Sequence, residues 1–113
     1  MSLTIYHNPR CSKSRETLAL LEQRGLTPQV VEYLKTPPNA QELAAIVAKL
    51  GKPATALVRK KEATEAGIDM DALDQSALLD ALAAHPAAIE RPIVIHGDKA
   101  ALGRPPEAVL EIL

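Results

Sequence analysis

The first 35 residues spell strand, helix, strand, and that order admits few folds. Leu3 to Tyr6 alternate apolar and polar before Asn8-Pro9, the pattern of a short strand entering a turn. From Ser12 the pattern turns helical. Thr17, Leu18 and Leu21 share one stripe, Glu16, Glu22 and Gln23 fall elsewhere, and Gly25 stands where a C′ glycine belongs. Val30, Val31 and Tyr33 predict a second strand, bounded by Pro28 and by Thr36-Pro37-Pro38. Two such strands joined by a helix imply a right-handed parallel crossover.

Asn39 with Glu42 three residues on reads as a capping box, and Leu43, Ile46, Val47 and Leu50 follow at helical spacing before Gly51. From Pro53 to about His85 the chain is rich in Ala and Leu with little β-branching, which predicts short helices, the best of them Ser76 to Ala84. Ile93-Val94-Ile95 is a β-branched run, His96-Gly97-Asp98-Lys99 is turn-like, and Ala100 to Leu102 returns as an antiparallel partner. Pro105-Pro106-Glu107 then opens a last helix carrying Val109, Leu110 and Leu113. The expected class is α/β, in the order β-α-β, helical insertion, β-β-α, with a mixed sheet flanked by helices. The length suits one domain spanning residues 1–113, and no repeat or interdomain linker interrupts it.

Composition narrows the function classes. Aromatic residues make up 2% of the chain and Trp and Phe are absent, so the core is built from Leu, Ile, Val and Ala, and no aromatic platform exists for stacking bases. A formal net charge of −1 gives no footprint for a polyanion, and Arg59-Lys60-Lys61 is too short a basic cluster to change that, which argues against nucleic acid as a partner. No apolar run approaches a membrane span and the N-terminus has no secretory pattern, so the expected location is cytoplasmic. A single cysteine forms no internal disulfide, which suits a reducing compartment, and with three scattered His residues it shows no metal-ligand spacing.

That cysteine is the main candidate for chemistry. Cys11 follows a strand and the loop His7-Asn8-Pro9-Arg10 and precedes a helix, where the helix dipole and free N–H groups favour a thiolate. A lone cysteine is commonly buried and inert, but helix N-termini beside cations are the settings that lower a thiol pKa, and His7, Arg10 and Arg15 are close in sequence. The same N–H groups form a cradle for a phosphate-like anion. Cys11-Ser12-Lys13-Ser14 places a serine where a dithiol oxidoreductase carries its second cysteine. Ser14 either hydrogen-bonds the thiolate or is an ordinary first-turn serine. Arg91 and Arg104 flank the expected hairpin and each precedes a proline; with Arg59 they suit a tetrahedral oxyanion, although most arginines solvate a face. His85 and His96 receive no role, and Tyr6 and Tyr33, both on expected strands, are assigned to packing.

The stretch Ile5-Tyr6-His7-Asn8-Pro9-Arg10-Cys11-Ser12-Lys13-Ser14-Arg15 resembles the active-site segment of glutaredoxin-dependent arsenate reductases. Ala56-Leu57-Val58-Arg59-Lys60, His85-Pro86, Arg91-Pro92-Ile93-Val94 and Gly103-Arg104-Pro105-Pro106-Glu107 resemble later blocks of that family in the same order, and the likeness is to its shorter members. The resemblance implies a thioredoxin-like fold with a helical insertion and a cis Arg91-Pro92 peptide. It implies Cys11 as nucleophile, His7 and Ser14 as groups favouring its thiolate, and Arg59, Arg91 and Arg104 as the oxyanion clamp. Arsenate is the implied substrate, glutathione the co-substrate and glutaredoxin the protein partner, with no tightly bound cofactor. Two other functions stand beside it. One is a glutathione-dependent thiol–disulfide reductase using the same thiolate. The other is a regulator that binds RNA polymerase, ranked last because Ser14 removes the C-x-x-C switch of such proteins.

Overall fold

The computed structural model describes residues 2–113. The chain forms two compact units, one holding the chain up to Thr36 together with Arg91–Leu113, the other Pro37–Glu90.

The first unit carries the sheet. Strand β1 (Leu3–His7) leads into helix α1 (Ser12–Gln23) and returns as β2 (Gln29–Glu32), which pairs parallel with β1, as a crossover requires. Gly25 adopts a positive φ of 76° just past α1, where its N–H and that of Leu26 close on the carbonyls of Glu22 and Leu21. After the second unit the chain adds β3 (Ile93–His96), antiparallel to β1, and β4 (Lys99–Leu102), antiparallel to β3. The sheet order is β2-β1-β3-β4, a mixed sheet as expected. The hairpin turn is the pair Gly97-Asp98, with His96 opposite Lys99 and Gly97 at a φ of 62°, the glycine-first pattern of a two-residue turn.

Ile5, Leu21, Val94 and Val109 are fully buried and join strand, helix and C-terminal segment in one apolar cluster. That segment corrects the expected last α-helix: Pro106–Ile112 is a 3₁₀ helix, bonded from Ala108 N–H to Pro105 O and from Leu113 N–H to Leu110 O. Two prolines at its start remove N–H donors, and three residues per turn put Pro106, Val109 and Ile112 on one side, against the core. Leu113, expected on the apolar face, is 41% exposed. A second correction concerns Tyr33. It lies one residue beyond β2, where the N–H groups of Lys35 and Thr36 both turn back to Glu32 O, and it is buried.

The second unit is helical, as its composition predicts. Helix α2 (Ala40–Leu50) has the full capping box, Asn39 and Glu42 each bonding the other's backbone N–H, and ends at Gly51 with a φ of 66°. Its buried Leu43, Ile46 and Val47 face α4 (Gln75–Ala84), which buries Leu78, Leu79 and Leu82. Between them run a 3₁₀ turn (Ala54–Leu57) and the short helix α3 (Lys60–Glu65), and Pro86–Ala88 is a further 3₁₀ turn. Among the described residues no helix is long and apolar enough to cross a membrane.

Candidate active site

The loop after β1 is closed by Asn8. Its carbonyl accepts the Cys11 N–H at 3.0 Å and its side-chain oxygen accepts the Arg10 N–H at 3.0 Å, the self-bonding turn that asparagine favours. Cys11 is thereby set as the N-cap of α1, with extended backbone and its carbonyl accepting the Arg15 N–H at 3.0 Å. A serine or aspartate at this position would cap the helix with oxygen. Here a sulfur stands in that place, near the first-turn N–H groups and without a capping hydrogen bond.

Those groups decide its protonation. Burial pushes the Cys11 thiol up, but the nearby Ser14 N–H, Arg91 side chain and Lys13 N–H, with the Arg91 charge, favour the thiolate, outweigh burial and hold the thiol below its ordinary value. Arg104 adds a second guanidinium, its Nη2 3.7 Å from Cys11 Sγ, while its Nε donates to Arg91 O at 2.8 Å. Sheet register explains the convergence. Ile93 pairs with both Tyr6 and Leu102, so the residues just before β3 and just after β4 stand at the end of the sheet where β1 delivers the loop. Arg91-Pro92 is cis, as the resemblance implies, and Arg104-Pro105 is cis as well.

Behind the thiol lies a buried polar pair. Ser14 Oγ is 2.6 Å from His7 Nδ1 and accepts the Asn8 N–H at 3.0 Å. The hydroxyl of Ser14 therefore ties loop to helix, while its N–H favours the thiolate. Burial pushes the His7 imidazole below its usual value; the Glu32 carboxylate opposes that and the Arg15 charge adds to it. Arg15 itself reaches back to the loop, Nη1 donating to Pro9 O at 2.9 Å. Arg59 belongs to the second unit, where its Nε bonds the Glu62 carboxylate at 3.2 and 3.4 Å and its Nη1 bonds Glu90 at 3.3 Å. Two carboxylates flanking this guanidinium are a feature the sequence reading did not include.

Tyr33 and Gly103 were also missed. Tyr33 is 1% exposed, its hydroxyl has no hydrogen-bond partner, and burial pushes it above its usual value against the opposing Arg91 charge. The available signal was its place just past the carboxyl end of a parallel strand, where ligand sites gather. Gly103, next to Arg104, packs against α1 and Pro92 so closely that a Cβ would lie 2.5 Å from Thr17 Oγ1 and 2.6 Å from Pro92 Cγ. No local signal marks that need.

Comparison with known proteins gives a consistent picture. The model of the ArsC family matches residues 6–112. An arsenate reductase of Haemophilus influenzae is 52% identical over 100% of both chains, and one of Neisseria meningitidis serogroup A is 51% identical over 98% of this chain and 97% of its own. The solved structure of an arsenate reductase from Vibrio cholerae superposes with a TM-score of 0.94 at 52% identity, covering 100% of this chain and 98% of that one.

Proposed function

The chain belongs to the ArsC family, and from that premise we propose that it reduces arsenate to arsenite with Cys11 as nucleophile. The observation that carries the reading is the Cys11 sulfur itself, set at a helix N-terminus and faced by the guanidinium groups of Arg91 and Arg104. A tetrahedral oxyanion approaching that sulfur meets forked donors suited to its geometry and a thiol already biased towards thiolate. The names of full-length relatives at about half identity support arsenate as that oxyanion.

The thiolate attacks arsenic, an arsenic–sulfur bond forms, and one arsenate hydroxyl leaves with a proton as water. Arg91 and Arg104 balance the charge that builds on the remaining oxygens. His7, Ser14 and Arg15 hold the loop that presents the sulfur. The chain holds one cysteine, so both reducing thiols come from outside. Glutathione supplies the first and a glutaredoxin thiol the second. They leave joined as a disulfide, arsenic gains two electrons and departs as arsenite, and Cys11 returns as a thiolate. Nothing in this sequence of steps calls for a bound cofactor, and the need for reduced glutathione assigns the protein to the cytoplasm.

The test is NADPH oxidation coupled through glutathione reductase, glutathione and a glutaredoxin, with and without arsenate. We expect arsenate-dependent turnover that disappears in Cys11→Ser, and a raised KM in Arg91→Ala. Turnover with a glutathione mixed disulfide but none with arsenate would overturn the proposal and assign the thiolate to thiol–disulfide exchange.

A further inference from the structure

We infer that Arg10 and Arg15 form an outer subsite beside the thiol, which receives a carboxylate of the incoming reducing thiol, a peptide of the glutathione class. The turn places both cations. Asn8 Oδ1 accepts the Arg10 N–H and Asn8 O accepts the Cys11 N–H, each at 3.0 Å, so Arg10 is held on the turn immediately before the sulfur. Arg15, in the first turn of α1, donates from Nη1 to Pro9 O at 2.9 Å. That carbonyl belongs to the peptide joining Pro9 to Arg10, so the Arg15 guanidinium lies within one residue of the point where the Arg10 side chain leaves the backbone. Both residues are exposed, and among the described residues neither guanidinium is bonded to a carboxylate. Two like charges on one turn repel, and an anion set against both relieves that repulsion. Chain connectivity keeps the Cα atoms of Arg10 and Cys11 about 3.8 Å apart, so the Arg10 charge acts on an anion that reaches the sulfur, over a screening length of roughly 8–10 Å at moderate salt.

The proposed reaction brings two anions to one sulfur. Arg104 Nη2 lies 3.7 Å from Cys11 Sγ and the Arg91 charge favours the thiolate; on the reading above, the oxygens on arsenic engage both once the adduct has formed. Glutathione, whose carboxylates outnumber its ammonium group, then approaches with those two cations occupied. Lys13, the other cation of the first turn, lies 3.7 Å from Glu16, so its charge is answered within the helix. Arg10 and Arg15 are the cations that remain beside the turn. Replacing Arg10 also separates reception of the partner from activation of the sulfur, because the groups that favour the thiolate are the Ser14 and Lys13 N–H and the Arg91 side chain.

The inference rests on the reading that glutathione serves the Cys11 site, but its test needs no arsenate. The rate at which Cys11 reacts with glutathione disulfide is compared with its rate towards uncharged hydroxyethyl disulfide, each relative to free cysteine, in the native protein, Arg10→Gln, Arg10→Lys and Arg91→Ala. In each reaction the thiolate attacks one sulfur, a mixed disulfide with Cys11 forms, and the other half leaves as a thiolate. We expect the native protein to prefer glutathione disulfide, Arg10→Gln to lose roughly two- to fivefold of that preference, as for an exposed ion pair, and Arg10→Lys to keep most of it. Added salt should narrow the preference more in the native protein than in Arg10→Gln. Iodoacetamide alkylation against pH should give the native midpoint in both Arg10 variants. An unchanged preference in Arg10→Gln, a loss that comes with a shifted alkylation midpoint, or a preference lost in Arg91→Ala alone overturns the inference. Absence of arsenate turnover in the native protein would instead sink the proposed function and leave these rate ratios in force.

Discussion

Replacing Gly103 with alanine perturbs both the fold and the thiol through one added methyl group. Built on the present backbone, that carbon lies 2.5 Å from Thr17 Oγ1, 2.6 Å from Pro92 Cγ and 3.2 Å from Pro92 Cδ. None of these neighbours yields easily. Thr17 is fully buried and its hydroxyl is bonded to Lys13 O at 2.8 Å, and Pro92 is a ring locked into the chain, its carbonyl accepting the Gly103 N–H at 3.0 Å. Overpacking of this kind costs about 1–3 kcal/mol, which for a chain of this size lowers the melting temperature by roughly 4–12 °C. The relief is also directional. Moving Pro92 carries Arg91 with it, and moving the backbone at Gly103 carries Arg104, so the two guanidinium groups draw off the sulfur that they face. The Gly103→Ala variant should therefore show a lower melting temperature and slower alkylation of Cys11 by iodoacetamide at neutral pH. A variant that melts with the native protein and alkylates at the native rate would refute the packing argument, and a lower melting temperature with an unchanged rate would refute its extension to the arginines.

Two further outcomes follow from the buried polar pair. Ser14→Ala removes the oxygen that accepts the Asn8 N–H and bonds His7 Nδ1, leaving buried groups unsatisfied; urea unfolding should show a loss of about 1–3 kcal/mol, and native stability would count against the pair. Because the folded His7 pKa lies below the free value, stability from its neutral form is complete above about pH 6.5 and declines as pH falls through the lowered folded value. Unfolding midpoints measured from about pH 7 to about pH 5 should drop more steeply in the native protein than in His7→Gln, and parallel profiles would remove His7 from the account.

What the sequence disclosed and what it withheld divide along physical lines. Helix α2 was legible almost to the residue because its start and stop are local chemistry, the reciprocal Asn39–Glu42 bonds and the left-handed Gly51. The β3–β4 hairpin was legible because β-branched residues meet a Gly97-Asp98 turn. The Pro106–Ile112 segment was misread because α and 3₁₀ periods diverge only after several residues, and the choice is made by which side chains reach Ile5 and Val94. Tyr33 reads as a strand residue in the sequence because the end of β2 is set by pairing with β1, a tertiary fact. Cys11 stood out from its place before a helix. Arg91 and Arg104 showed only as pre-proline cations flanking a hairpin, and the resemblance, not the pattern, singled them out. The Glu62 partner of Arg59 lies three residues along its own helix, whereas Glu90 comes from a distant stretch that no periodicity could supply.

The β3–β4 hairpin also works as a ruler. Arg91 and Arg104 stand beyond its open end, and the offset between them is counted out by the paired residues back to Gly97-Asp98, at the far tip of the ribbon. An exposed hairpin tip is ordinarily a forgiving place to lengthen a chain. Here a change in loop length that re-pairs the strands by one residue would slide Arg104 about 3.4 Å along the sheet and turn every β4 side chain to the opposite face. The length of that turn therefore bears on a sulfur it never touches, and loop grafts designed for this scaffold should preserve the register before they preserve any residue of the turn.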